Sequence, residues 1–128
     1  MKKTIGLLLA LAFLLAVPAS AEHHEVTLTG EYYWNQGHSG DLKAVLTPAE
    51  AEGTWDVTFY FDFRDKPRVY TGVVKGSLEG ALEGEVKNED KKRTFLFDGN
   101  FEGGQFEGEH EEITPGRERQ TGTLTLSR

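Results

Sequence analysis

Apolar and polar side chains alternate without exception over residues 55–63 of this chain, which read WDVTFYFDF. Every odd position carries an apolar side chain, whereas the even positions carry Asp, Thr, Tyr and Asp. A period of two places the odd positions on one face of a β-strand, while a helix would scatter them around its circumference. The segment therefore predicts a half-buried strand, and the side chains expected in the core are Trp55, Val57, Phe59, Phe61 and Phe63.

The same alternation recurs along the chain between short turn segments. Seven further strands are expected at residues 26–34, 42–46, 69–75, 82–87, 94–101, 106–112 and 121–126. Gly103-Gly104 suits a two-residue hairpin turn, because both central residues of such a turn need positive φ. Residues 47–53 are expected to form a loop or one short helical turn, and residues 65–67 a turn. Beyond residue 21 no amphipathic window of helical length interrupts this pattern.

Eight strands joined by short connections predict a single all-β domain. Strands adjacent in sequence then pair as antiparallel neighbours, and a meander with one apolar face closes naturally into an up-and-down barrel. Closure also removes exposed strand edges. The expected architecture is therefore a barrel of roughly eight strands, as in lipocalins and avidins, over residues 22–128. An open, strongly curled sheet is the alternative.

Residues 1–21 have the pattern of a secretory signal peptide. Lys2 and Lys3 precede an uncharged apolar run at residues 5–17, and small residues precede a cut after Ala21. A membrane anchor needs about 20 apolar residues, which is more than this run provides. The sequence therefore predicts a periplasmic or secreted protein without a membrane span. A cut after Ala19 is the second choice.

The charge and cysteine content exclude several classes of protein. The chain has no cysteine, which rules out disulfides and thiolate chemistry. Its net charge of −7 disfavours binding to nucleic acid, which needs a basic face. Acidic side chains at alternate positions, such as Glu107, Glu109 and Glu111, are interpreted as a solvated outer face. The polar outward positions of residues 55–63 likewise disfavour a barrel that faces lipid.

The barrel interior has two interpretations. Several glycines share the parity of the core side chains, and they either let the strands bend around a filled interior or leave room for a cavity. Eight-stranded barrels are at the size where both outcomes occur. In the binding interpretation, a small apolar or aromatic ligand contacts Trp34, Trp55, Phe59, Phe61, Tyr70, Phe95, Phe97 and His110. In the alternative, the interior is packed and the protein is structural or associates with the cell envelope.

Catalytic motifs are weak in this chain, so no enzyme activity and no cofactor are predicted. The three serines after residue 21, Ser39, Ser77 and Ser127, lie outside any nucleophile-elbow motif. His110 shares the parity of Phe106 and is expected to point inward, with Glu112 on the same face. This arrangement is either a functional histidine–carboxylate pair or a histidine that only satisfies local hydrogen bonds.

A cut after Ala21 would create the amino-terminal sequence Glu22-His23-His24. The free amine, two intervening amides and the His24 imidazole would supply four nitrogens in a square. This geometry suits Cu(II) or Ni(II), with His23 as a nearby second imidazole. Metal binding at the mature terminus is therefore a lesser functional hypothesis.

Five glycines recur every 23 residues, at Gly30, Gly53, Gly76, Gly99 and Gly122. Residues 97–108, which read FDGNFEGGQFEG, resemble a MORN repeat. That resemblance implies a glycine-rich β-hairpin unit, although MORN proteins are mostly intracellular scaffolds or membrane-associated.

The whole mature chain resembles small uncharacterised exported bacterial β proteins, which implies a single exported domain. The sequence thus predicts an exported barrel for a small ligand or an envelope partner, and leaves the oligomeric state open.

Overall fold

The computed structural model describes residues 24–90 and 92–128, which form eight strands. They are β1 (Val26–Trp34), β2 (His38–Pro48), β3 (Thr54–Phe63), β4 (Lys66–Gly76), β5 (Ala81–Asn88), β6 (Thr94–Glu102), β7 (Gln105–Thr114) and β8 (Arg117–Ser127). Within these residues the structure has no helix of sufficient length and apolar character to cross a bilayer. The predicted signal peptide lies outside the described residues.

The strands close into a barrel. Each strand pairs in antiparallel fashion with the next along the chain, and β8 completes the circle by pairing with β1. In that last ladder Gly30 lies opposite Leu126 and Tyr32 opposite Leu124. The predicted closed up-and-down barrel is therefore confirmed, and the open curled sheet was the wrong alternative.

Two hairpin turns show how local sequence sets the register. Gly103 and Gly104 have φ angles of 60° and 85°, as predicted for a turn whose two central residues have positive φ. The β3–β4 turn has the same character at Arg64 and Asp65, with φ angles of 55° and 65°. It lies one residue earlier than predicted, because Pro67 pairs with Asp62 inside the ladder. The connection after Pro48 is a loop without a helical turn.

The two ends of the barrel differ. We call the end that carries the β2–β3, β4–β5 and β6–β7 connections the closed end. Its interior is filled by fully buried side chains such as Leu28, Val74 and Phe106. The opposite end, which carries the β1–β2, β3–β4, β5–β6 and β7–β8 connections, is called the open end. The burial of β3 reflects this difference.

The prediction for the inward face of β3 was only partly right. Val57 and Phe59 are buried in the core, whereas Trp55, Phe61 and Phe63 are half-buried and pack against it. Trp55 lies where β3 starts at the closed end, and Phe61 and Phe63 lie towards the open end. The alternation of the sequence therefore set the face of each side chain correctly but not its depth.

Strand interiors approach each other too closely at some glycines for any other residue. A Cβ atom on Gly72 would lie 1.8 Å from the carbonyl oxygen of Glu85, and one on Gly30 would lie 1.8 Å from that of Thr125. Such contacts support the interpretation that the core-facing glycines allow tight strand coiling. The glycines spaced by 23 residues occupy unlike places, since Gly30 lies within β1 and Gly53 lies in a loop.

Candidate ligand-binding site

The barrel interior contains a cavity of about 330 Å³ near the open end, where it is accessible to solvent. Aromatic side chains from β1, β3, β4 and β6 form much of its wall, and polar groups gather near its mouth. Seven of the eight predicted ligand-contacting residues line it: Trp34, Phe59, Phe61, Tyr70, Phe95, Phe97 and His110. The structure thus brings together residues that lie up to 76 positions apart in sequence.

Trp55 does not line this cavity, and its inclusion in the predicted set requires correction. It lies at the start of β3, on the closed side of Val57 and Phe59. Its indole Nε1 is buried and has no hydrogen-bond partner among the described residues. Period-two alternation cannot distinguish the two ends of a strand, which is why the sequence placed Trp55 with the cavity residues.

Several lining residues were missed by the sequence reasoning. Tyr32 and Phe63 contribute further aromatic wall, and Arg68 and Arg93 lie at the cavity edge. Arg68 has the parity of Tyr70, and Arg93 has that of Phe95. Strand parity, extended to charged residues near strand ends, would have identified both arginines.

The aromatic wall is a connected set of ring contacts. Trp34 lies at its centre, with ring centroids 6.0 Å from Phe63 and 5.7 Å from Phe95, both near edge-to-face. Phe95 in turn contacts Tyr70 at 5.6 Å. Mutual packing of this kind limits ring motion, so the wall presents fixed aromatic faces and edges to the cavity.

Two tyrosines differ in their hydroxyl environment. The Tyr32 hydroxyl donates a 2.7 Å hydrogen bond to the carbonyl oxygen of Asp62. The Tyr70 hydroxyl has no hydrogen-bond partner within the described residues, and burial raises the pKa of this phenol above its usual range. Tyr70 therefore stays protonated near neutral pH and offers a hydrogen-bond donor to the cavity.

His110 is held by hydrogen bonds on both ring nitrogens. Its Nδ1 lies 2.6 Å from Thr121 Oγ1 and its Nε2 lies 3.1 Å from the Tyr33 carbonyl oxygen. Burial lowers the pKa of the ring below 6.5, which favours the neutral form. In that form Nε2–H donates to Tyr33 and the Thr121 hydroxyl donates to Nδ1. The ring also stacks on Trp34 at 5.7 Å.

Glu112 pairs with arginines and not with His110, so the structure fits the second interpretation of His110, a histidine that only satisfies local hydrogen bonds. The Glu112 carboxylate accepts hydrogen bonds from Arg93 Nε at 2.9 Å and from Arg119 at 3.2 Å. The hydrogen bond from Arg93 is the main reason that the pKa of Glu112 falls below its usual range. Glu112 is therefore ionised at neutral pH, and it fixes Arg93 at the cavity edge.

Within the described residues, no group of three or more His, Cys, Asp or Glu side chains could hold a metal ion. Glu22 and His23 of the predicted copper site lie outside the described residues. His24 is exposed at the start of the described chain. Metal binding at the mature terminus therefore stays a prediction.

Comparison with known proteins found similarity at the level of fold. No protein-family model and no curated protein matches the chain. A redesigned β-barrel has 14% sequence identity and a TM-score of 0.66, over 80% of this chain and 88% of that one. This chain has the fold of a designed β-barrel. Two further barrels, both bound to DFHBI, also match over 80% of this chain. One is EF1p2_mFAP2b, with 14% identity and a TM-score of 0.62 over 90% of that chain. The other is the redesigned barrel mFAP1, with 13% identity and a TM-score of 0.61 over 92% of that chain.

Proposed function

We propose that this protein is an exported barrel that binds a small apolar or aromatic ligand in the cavity at its open end. The observation that carries the proposal is the cavity of about 330 Å³, with its aromatic wall and polar mouth. Ligand pockets typically measure about 300–1,000 Å³ and combine an apolar lining with a few polar groups. The cavity lies at the small end of this range, so it suits a ligand of one or two rings.

The barrel neighbours support this choice of ligand. The structures of mFAP1 and EF1p2_mFAP2b both contain bound DFHBI, a small aromatic dye. In the present chain the rings of Trp34, Phe95 and Tyr70 already pack against one another around the cavity. A planar ligand would extend this packing without reordering the wall, which lowers the entropic cost of binding.

The alternative of a fully packed structural barrel fits only the closed end. There Leu28, Val74 and Phe106 are almost completely buried. Towards the open end, Phe61 and Phe63 remain half-buried and face the cavity. Export is part of the proposal because of the pattern of residues 1–21, and sequencing the amino terminus of the purified protein tests it.

The first experiment is native mass spectrometry of the protein purified from its own source. We expect an added mass of a small molecule that is lost on denaturation. A second experiment titrates DFHBI as an aromatic probe and measures its fluorescence with the wild type and two matched variants.

Val86→Phe is the test variant and Val73→Phe its control. Val86 is 4% exposed and lines the cavity, so a phenyl ring there occupies ligand space. Val73 follows Gly72, the residue that pairs with Val86 between β4 and β5, and it is 49% exposed. We expect Val86→Phe to weaken DFHBI binding at least about tenfold, or about 1.4 kcal/mol, and Val73→Phe to leave it unchanged. An empty barrel from the source, with no difference between these variants, would contradict the proposal.

A further inference from the structure

Positive charge is concentrated at the open end of this acidic protein. Five of the six arginines lie in residues 64–68, 93 and 117–119, next to three of the open-end connections. Counted over the same three segments, 64–68, 88–93 and 111–119, the chain places eight of its 14 basic residues there but only six of its 21 acidic residues. The entrance to the cavity is therefore far richer in cations than the rest of the barrel, which favours an anionic ligand.

Two of these arginines line the cavity itself. The guanidinium carbon of Arg68 lies 6.0 Å from the Phe63 ring centroid, and that of Arg93 lies 5.5 Å from the Phe95 centroid. Each guanidinium is thus near an aromatic face that also forms the wall. Arg93 is tied to Glu112, whereas no ion pair within the described residues involves Arg68. Arg68 therefore has donors available to a ligand.

Two acidic residues also lie at the mouth, and no ion pair within the described residues joins either of them to Arg68 or Arg93. These residues, Glu89 and Asp90, line the cavity. The Asp90 carboxylate accepts a 3.0 Å hydrogen bond from the backbone N–H of Lys92, which stabilises the β5–β6 connection. In the same connection Asn88 Oδ1 accepts the backbone N–H of Arg93 at 3.1 Å, which helps to position this arginine.

Tyr70 adds a third donor next to the two arginines. Both guanidinium charges act on the Tyr70 hydroxyl and lower its pKa, although burial outweighs them. The cavity edge therefore combines two guanidinium groups and a protonated phenol, all of which can donate hydrogen bonds to one acceptor.

The geometry points to a small aromatic carboxylate as the ligand class, with its ring against the aromatic wall and its carboxylate at Arg68, Arg93 and Tyr70. This inference rests on the proposed function and names the chemistry of its ligand. Guanidinium groups match the two oxygens of a carboxylate, and such charge-assisted hydrogen bonds are about twice as strong as neutral ones. The aromatic wall supplies apolar contact, and the carboxylate sets the orientation.

The test compares two probes that share the same rings and differ in charge. The dissociation constants of 2-naphthoate and 2-naphthamide are measured by calorimetry at pH 7.5 with the protein that begins at Glu22, the predicted mature terminus. We expect 2-naphthoate to bind at least about fivefold more tightly, which corresponds to about 1 kcal/mol. This preference should decrease as salt is raised, because the mouth is open to solvent.

Arg68→Gln is the decisive variant, because Arg68 is exposed and carries no ion pair within the described residues. It should reduce the ratio of the 2-naphthamide to the 2-naphthoate dissociation constant to less than half of the wild-type ratio, because one of the donors to the carboxylate is lost while Arg93 and Tyr70 remain. Arg117→Gln is the matched control, since Arg117 is also an exposed open-end arginine but does not line the cavity. It should retain the preference.

The outcomes separate this inference from the proposed function. Equal affinity for the two probes, or an Arg68→Gln variant that keeps the preference, would overturn the carboxylate inference and leave a neutral-ligand barrel. Binding of neither probe, together with an empty barrel from the natural source, would overturn both.

Discussion

His110 shows how one titratable side chain can link the cavity wall to stability. Its ring stacks on Trp34, and both its nitrogens lie within hydrogen-bond distance of oxygens on Thr121 and Tyr33. The Thr121 hydroxyl lies 3.1 Å from the carbonyl oxygen of His110 as well. The Thr121 hydroxyl can therefore donate to Nδ1 when this nitrogen is unprotonated. When Nδ1 carries a proton, it can donate to Thr121 Oγ1, and the hydroxyl can donate to the His110 carbonyl oxygen. Protonation changes this network without requiring a new partner.

Acidification should destabilise the fold through His110. The folded pKa lies below 6.5, so the unfolded chain binds more protons between the two pKa values, and stability rises with pH through that window. We expect denaturant unfolding to show lower stability at pH 5.5 than at pH 7.5. The difference should be smaller in a His110→Asn variant. An NMR titration that placed the pKa of His110 at or above 6.5 would contradict this prediction.

Glu112 should contribute stability through its two arginines. The Glu112→Gln variant keeps the shape of the side chain but removes the charge that Arg93 and Arg119 contact. Because the two arginine side chains are 43% and 49% exposed, solvent screens the loss, and we expect a cost of about 1 kcal/mol in urea unfolding. Glu109→Gln, on the exposed outer face of β7, is the control.

Acidification should lower stability through Glu112 as it does through His110, but for a different reason. The folded protein disfavours the charged form of His110 by burial, whereas it favours the charged form of Glu112 through hydrogen bonds. The folded pKa of Glu112 lies below 4.5, so its stabilising effect is complete above that pH and is lost as the pH falls through the folded value. Equal urea midpoints for the wild type and Glu112→Gln at pH 7 would show that the arginine contacts add nothing.

The strands themselves were largely predictable from sequence, and the exceptions have physical causes. Alternation predicted the β3 face because burial against a core selects large apolar residues at every second position. The start of β8 at Arg117 was missed, since residues 117–120 read RERQ and show no apolar alternation. These residues are extended because they pair with β7, where the register shifts between His110 and Glu111. Hydrogen bonding to a neighbour, rather than burial, extends the strand there.

Glycine positions inside strands should be far less tolerant than loop glycines. Gly72→Ala would place a methyl group 1.8 Å from the Glu85 carbonyl oxygen, so β4 and β5 would have to move apart. We expect a loss of about 2–4 kcal/mol in unfolding free energy, as for other strained core substitutions. Gly80→Ala is the matched control, because the nearest atom to its new methyl group would be 4.0 Å away. Similar midpoints for both variants in thermal unfolding would show that the barrel relaxes around Gly72.

The candidate site was predictable in composition but not in location. The inward parity of Trp34, Tyr70, Phe95 and His110 follows from their own strands. Which of these side chains share one end depends on strand order, direction and register, which are properties of the closed barrel. That is why Trp55 was wrongly grouped with the cavity residues and Arg68 was missed. The 330 Å³ space also depends on how the rings tilt against each other, which no sequence pattern reports.

In the whole barrel, the packed closed end supplies most of the stability and the open end supplies the cavity. Substitutions that shorten a side chain at each end should show this difference. Phe106 is 1% exposed within the packed end, so Phe106→Ala would leave a cavity and cost about 3–5 kcal/mol. Phe95 is half-buried and already borders an open cavity, so Phe95→Ala should cost about 1–2 kcal/mol, since less apolar area returns to water. Chemical unfolding of both variants measures the two costs. In the titration of 2-naphthoate the order should reverse, with Phe95→Ala weakening binding and Phe106→Ala leaving it nearly unchanged wherever that variant remains folded. Equal unfolding costs at the two positions would contradict this difference, because they would show that the cavity wall stabilises the fold as much as the packed end does.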